Sequence, residues 1–165
     1  MDEQDRVIGR ATRSEIHKNN LLHRSAHILV FNFNNQLFLQ KRSISKDESP
    51  GLWDTSSAGH VNSGESYEVG AHRELWEELG IKTVLTPLLK IYACNDTYHE
   101  HVQVYSCKTD ANIKINQEEI SEGKYFKFPD LINEIQKKSI KYTSSLKLIL
   151  RIYTEKILKD EQIKL

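Results

Sequence analysis

The sequence predicts an α/β (α+β) fold in which a mixed central sheet lies between helical layers. Three observations carry this reading. Short runs rich in β-branched and aromatic residues alternate with turn signals. One helical segment, residues 66–79, interrupts them in mid-chain, and a helix with apolar residues at three- and four-residue spacing closes the chain. At 165 residues the chain has the size of one domain, so residues 1–165 are read as a single domain with residues 1–22 as an N-terminal extension packed on it.

Taken in order, Thr12 with Glu15 three residues later is a capping box, so a short helix covers residues 12–19 and stops at Asn19-Asn20. Residues 25–32 are a near-continuous apolar run, the pattern of a strand covered on both faces. Phe33-Asn34-Asn35 reads as a turn, and residues 36–41 return to make a hairpin. Ser49-Pro50-Gly51 breaks regular structure and presents Leu52 and Trp53; residues 56–61 then form a short strand entering a loop with Asn62, Ser63 and Gly64. The helix over 66–79 directs Val69, Leu75 and Leu79 to the core and closes on a left-handed Gly80. Residues 91–95 and 102–107 read as strands, with His99, Glu100 and His101 in the loop between them. Residues 124–128 make another strand, stopped by Pro129, and Asp130 caps a helix carrying Leu131, Ile132 and Ile135. Leu146, Ile149, Leu150, Tyr153 and Ile157 mark a final helix over 143–158, and the lysine-rich tail past Lys156 reads as a frayed end.

Composition excludes several function classes. Lysine plus arginine equals aspartate plus glutamate, 23 each, so no global field attracts a nucleic acid polymer. No apolar run has the length of a membrane span, and the polar start, Met-Asp-Glu-Gln-Asp-Arg, is unlike a secretory signal; a cytoplasmic location is expected. Cys94 and Cys107 are too few for a disulfide framework and too far apart for a zinc motif, and are read as packing residues in a reducing compartment.

The most informative segment is residues 59–81. Glu74, Glu77 and Glu78 lie at helical offsets zero, three and four, so three carboxylates share one helix face. They repel one another unless a cation lies among them, and hard divalent ions such as Mg²⁺ or Mn²⁺ take oxygen ligands of this kind. The loop from Gly59 leads straight into this helix, so a loop carbonyl can face the same point.

This stretch resembles the signature of the Nudix hydrolases, Gly-x5-Glu-x7-Arg-Glu-U-x-Glu-Glu-x-Gly-U with U a bulky aliphatic residue. The matching residues are Gly59, Glu65, Arg73, Glu74, Leu75, Glu77, Glu78, Gly80 and Ile81. Such a coincidence has odds on the order of one in a billion windows at average residue usage. The resemblance implies a Nudix-type α/β/α sandwich and divalent-metal-dependent cleavage of a diphosphate linkage in a small molecule, a nucleoside diphosphate derivative or related diphosphate, by water attack at phosphorus. It further implies that Glu74, Glu77, Glu78 and the Gly59 carbonyl hold Mg²⁺ or Mn²⁺, with Glu77 or Glu78 also serving as base, and that Glu65 and Arg73 brace the loop. A later acid often completes such sites, and Glu118, Glu119 and Glu122 are the candidates.

Outside the signature, His23–Asn32, Leu39-Gln40-Lys41-Arg42, Ser45-Lys46, Pro50-Gly51-Leu52-Trp53 and Gly59-His60 are similar to isopentenyl-diphosphate isomerase. That likeness implies diphosphate contacts from Lys41, Arg42 and Lys46, a pocket position for Trp53, and a second metal site from His17, His23 and His60, joined by His99 or His101. The isomerase uses a cysteine just before its Gly-His pair, where this chain has Ala58, while the hydrolase glutamates are all present; hydrolysis is therefore the first reading and isomerisation the second. A non-catalytic nucleotide sensor is the third. The exact substrate, and whether the chain acts as a monomer or a homodimer, are left open.

Overall fold

The structure, a computed structural model, describes the backbone of residues 1–162 and the side chains of residues 1–156. Its elements in chain order are α1 (Arg13–Asn19), β1 (His23–Phe31), β2 (Gln36–Arg42), β3 (Trp53–Asp54), β4 (Ser57–His60), α2 (Tyr67–Leu79), β5 (Thr86–Ile91), β6 (Glu100–Lys108), β7 (Ile120–Lys127), α3 (Phe128–Lys137) and α4 (Ser144–Gln162). The strands form one mixed sheet of order β3-β2-β1-β6-β5, with β4 paired to β1 and β7 paired to β2. One face carries Ala26, Ile28 and Val30 against Ala71, Leu75 and Leu79 of α2. The other carries Leu29, Leu37 and Leu39 against Leu131 of α3 and Leu146, Ile149 and Leu150 of α4. Alternation along β1 sends successive side chains to these two cores, which is why its sequence is apolar almost throughout. Among the described residues no helix is long and apolar enough to cross a membrane.

The strand pair β1 and β2 is a hairpin only at its base. The two share the register pair Phe31 with Leu37, and beyond it they separate. Into the opening comes β4, which pairs antiparallel with β1 from Ser25 with His60 to Ile28 with Ser57. Ser56 stitches the fork: its hydroxyl accepts from Val30 N–H and donates to the Phe38 carbonyl, so backbone groups left by the splitting strands are satisfied by one side chain.

Several expectations are corrected. The strand expected at 91–95 lies instead at Thr86–Ile91, and 95–97 is a turn of 3₁₀ helix; Pro87 hid the strand, but β5 is an edge strand with a bulge between Pro87 and Leu89, where a missing N–H is tolerated. Glu100 and His101 belong to β6 rather than to a loop. Val69 is exposed, and Gly70 and Ala71 take the inner face of α2. Asp130 lies inside the first turn of α3, whose cap position is Lys127 and whose second residue is Pro129, in a first-turn slot where no intrahelical N–H bond is lost. Cys94 is exposed while Cys107 is buried. The side chain of Ile157 and the tail at 163–165 lie outside the described residues.

The N-terminal segment is pinned to the sheet by Asp5, whose carboxylate accepts from Arg24 at 2.7 Å, Lys90 at 2.7 Å and Tyr67 at 3.0 Å. The capping box of α1 is formed, Thr12 and Glu15 each satisfying the other's backbone N–H.

Replacing Ser56 with alanine removes the stitch and leaves buried backbone groups without partners. A loss of about 1–3 kcal/mol is expected, read from the urea midpoint; an unchanged midpoint would show that the fork holds itself open.

Candidate active site

The fork between β4 and β2 is where the acidic helix face arrives. Ser66 caps α2 by accepting from Val69 N–H, and Gly80 closes it at φ 66°, so the helix is fixed at both ends. Glu78 reaches into the gap, 4% exposed. Its Oε2 accepts from Gln40 Nε2 on β2 at 3.1 Å and from Ala58 N–H on β4 at 3.0 Å. Burial pushes its carboxyl up to about 7, with the charge of Glu74 adding to the effect. Glu74 lies flat on Gly59, so close that a Cβ at that position would collide with the carboxylate. Glu77 is the outer member, half exposed.

Arg73 ties this group to the loop. It meets Glu65 through two hydrogen bonds, at 3.0 and 3.1 Å, and donates to the His60 carbonyl at 2.8 Å. Its Nη1 donates to Glu74 at 2.6 Å and to Glu77 at 3.1 Å. Glu65 also accepts from Asn62 N–H at 2.9 Å. The planar fork of a guanidinium suits this double grip; a lysine offers only a point charge.

A cavity of about 450 Å³ opens over these carboxylates, with Arg13, Arg42, Lys46 and Glu119 also on its wall. Arg42 donates to the Glu48 carbonyl at 2.9 Å and lies 3.5 Å from Asp54. Lys46 pairs with Glu119; burial first, then the charges of Arg42 and Arg13, lower its affinity for a proton against the pull of Glu78. Lys41 is not in the cavity: it alternates away from Gln40 and Arg42 and lies 3.7 Å from Glu122 on β7. Trp53 is in the core, edge-on to Phe126 with ring centres 5.3 Å apart. Of the three late acids, Glu119 lines the cavity and Glu118 and Glu122 are exposed outside it.

The histidines separate into two sets. His17, His23 and His60 place ring nitrogens within 4.8 Å of one another. Glu100 completes the group, its Oε1 at 3.1 Å from His60 Nε2 and 3.3 Å from His23 Nε2. Burial pushes the Glu100 carboxyl up, but the hydrogen bonds from His23 and His60 outweigh it and hold it well below the usual range. His101 is engaged elsewhere, donating to the Asp2 carbonyl and accepting from Ala93 N–H. His99 lies in a left-handed turn at φ 63° and outside the cavity. The acid in this cluster is thus Glu100, which the sequence reading passed over for its histidine neighbours. Arg13 and Gln40 were missed as well; the alternation of Gln40 with Arg42 along β2 was the available signal for Gln40, and nothing in the sequence marked Arg13.

Among the described residues the one group of three or more His, Cys, Asp or Glu side chains gathered closely enough to hold a metal ion is His17, His23 and His60; the α2 carboxylates are less closely gathered but line the cavity as oxygen donors of the kind a hard divalent cation takes. Glu78 is a buried carboxyl whose direct partners are neutral N–H donors, held near neutrality for want of a positive charge, and Glu74, Glu77 and the Gly59 backbone adjoin it.

The NUDIX domain family model matches residues 21–146. An uncharacterized Nudix hydrolase of Pseudomonas aeruginosa is 36% identical over 156 residues, spanning 94% of this chain and 91% of that one. An isopentenyl-diphosphate Delta-isomerase of Photorhabdus laumondii is 36% identical over 130 residues, 76% of this chain and 73% of its own. A crystal structure from Deinococcus radiodurans superposes with a TM-score of 0.81 at 28% identity, covering 91% of this chain and 94% of that one.

The Arg73 grip makes a pH prediction. Hydrogen bonds from Arg73 hold the Glu65 carboxyl below its usual 4.5, so the stability it contributes is present above the unfolded value and is lost as pH falls through the folded one. Glu65→Gln is therefore expected to be less stable than the parent near pH 7, with the gap closing below about pH 4.5. Urea midpoints across that range check it, and a gap independent of pH would count against the pairing.

Proposed function

The chain belongs to the Nudix family, and on that footing we propose that it is a divalent-metal-dependent hydrolase of a diphosphate linkage in a small molecule. The observation that carries this is the complete carboxylate set around a buried, charge-starved Glu78, facing a cavity with three cationic side chains. Glu74, Glu77 and Glu78, with the Gly59 carbonyl, would hold Mg²⁺ or Mn²⁺. Bound there, such an ion neutralises phosphate charge and lowers the pKa of water.

The chain's own residues do the rest. Arg13, Arg42 and Lys46 grip the diphosphate oxygens, and Glu119 holds Lys46 at the wall. Water attacks one phosphorus, the P–O bond to the bridging oxygen breaks, and the proton lost by water passes to a carboxylate of the Glu77 and Glu78 pair. Arg73 orients the group by holding Glu65, Glu74 and the His60 carbonyl together.

The cluster of His17, His23, His60 and Glu100 favours a second reading, an isomerase-like enzyme with a transition metal at that cluster. Against it stands Ala58, a methyl group where that chemistry needs a thiol. Following the allylic isomer of isopentenyl diphosphate as product separates the two.

Glu78→Gln is expected to lower phosphate release by at least about 100-fold with the thermal transition retained, and heavy-oxygen water should label one product phosphate. Full activity in Glu78→Gln would remove Glu78 from the site. Gly59→Ala forces Glu74 off its seat, and should raise the Mg²⁺ concentration needed for half-maximal rate by about tenfold or more; an unchanged metal requirement would place the ion elsewhere.

A further inference from the structure

Among the described residues six that are not glycine hold a positive φ. Asp5, Asn20, Asn35 and His99 are of the types that enter the left-handed region most readily. Ser49 and Tyr98, at φ 47° and 53°, are not, and these two meet: their hydroxyls lie 2.8 Å apart on the wall of the cavity. Ser49 also precedes Pro50, which pushes the residue before it toward extended backbone. Strained residues persist only where their surroundings hold them, and they gather at ligand clamps and switching segments.

The meeting point is the open end of the fork. Strands β1 and β2 join at Phe31 and Leu37, so His23 and Arg42 stand at the far ends, across the opening. Strand β6 starts beside His23, with Glu100, and β7 starts beside Arg42, with Ile120. Tyr98 therefore stands on one bank of the opening and Glu119 on the other. The loop of residues 43–51 reaches both: Lys46 pairs with Glu119, and Ser49 bonds Tyr98. It is a strap across the mouth of the cavity. Glu48 ties it down between those points, through its carbonyl to Arg42 at 2.9 Å and through its carboxylate to His17 at 3.0 Å.

The two partners in the bond are unlike. Tyr98 follows a 3₁₀ turn, Asn95–Thr97. The Asp96 carbonyl of that turn accepts from Ser144 and Ser145 at 2.8 and 3.1 Å, and its buried Thr97 donates to the Glu100 carbonyl at 2.8 Å. Tyr98 is a fixed post. Ser49 stands in a loop with no buried residue, so it is the movable partner. Letting go relieves its backbone, while holding on keeps one hydroxyl–hydroxyl bond, and these effects are of similar size. The strap is poised between shut and open.

We propose that Tyr98 is a positioning residue: its hydroxyl latches Ser49 and so holds residues 43–51 shut across the cavity, where Arg42 and Lys46 face the diphosphate, and the strap opens by breaking this one bond. What the latch serves rests on the reading of the cavity as a diphosphate site; the latch itself does not. Apparent affinity falls with the fraction of molecules in the competent state, so weakening the latch weakens anion binding without touching either cation.

Hydrogen exchange read by mass spectrometry, and calorimetric titration with methylenediphosphonate in Mg²⁺, test this on the full chain. In Tyr98→Phe, which keeps the ring, and in Ser49→Ala, exchange across 43–51 is expected to quicken about three- to tenfold with α2, β1 and β6 unchanged. Affinity for methylenediphosphonate should fall by a similar factor, about three- to tenfold. Because each change removes the same bond, the two together should do no more than either alone. Unchanged exchange over 43–51, additive effects in the double variant, or quickened exchange with undiminished affinity would overturn the proposal. Failure of the unsubstituted chain to bind methylenediphosphonate would remove the diphosphate reading instead, and the exchange comparison would still decide the latch. Either single variant decides where the other fails to fold.

Discussion

The separation of β1 from β2 beyond Phe31 and Leu37 is the constraint on which the site depends. Strands joined by a tight turn ordinarily stay paired, since every lost ladder bond leaves a backbone group in need of a partner. Here β4 takes over one edge of β1 and Ser56 links the two sides of the fork with a single hydroxyl. The gap that results is narrow, polar and reached from both faces of the sheet. Glu78 occupies it because Gln40 stands on one bank and Ala58 N–H on the other.

From that placement follow the electrostatics. A carboxyl withdrawn from water and given only neutral donors is held near neutrality, and a second carboxylate beside it raises the cost of ionising both. Arg73 offsets part of this by donating to Glu74 and Glu77 while anchoring Glu65. Its hydrogen bonds do not include Glu78, whose partners are Gln40 and the Ala58 N–H. The site is therefore short of positive charge at one point, and that point adjoins Glu74, Glu77 and the backbone of Gly59. The cations on the cavity wall come from separate parts of the chain: Arg13 from α1, Arg42 from β2 and Lys46 from the loop after it. Pinning the first residues through Asp5 helps place α1, which brings Arg13 to the cavity and His17 to His23 and His60.

Much of this was legible in residues 59–81. The spacing of Glu74, Glu77 and Glu78 puts them on one helix face whatever the tertiary context, and Ser66 and Gly80 mark the ends of that helix by local backbone chemistry alone. Strand β5 was not legible, because Pro87 signals a break unless the strand is known to lie at an edge. Trp53 and Lys41 were read as pocket residues from the likeness to isopentenyl-diphosphate isomerase; alternation along a strand sends adjacent side chains to opposite faces, and one residue decides between core, solvent and cavity. Glu100 was passed over because its two flanking histidines have the more familiar ligand chemistry.

By itself the sequence determined the mixed α/β class, the family signature, the acidic helix face and the capping of α1 and α2, since each of these rests on residues a few positions apart. The tertiary structure decided what depends on distant segments meeting: the fork of β1 and β2, the burial that brings Glu78 close to neutrality, the union of Glu100 with His23 and His60, and the meeting of Ser49 with Tyr98 at the open end of the fork. Local periodicity fixes which face a side chain takes, but desolvation and charge are set by everything packed around it, and those neighbours come from the whole length of the chain.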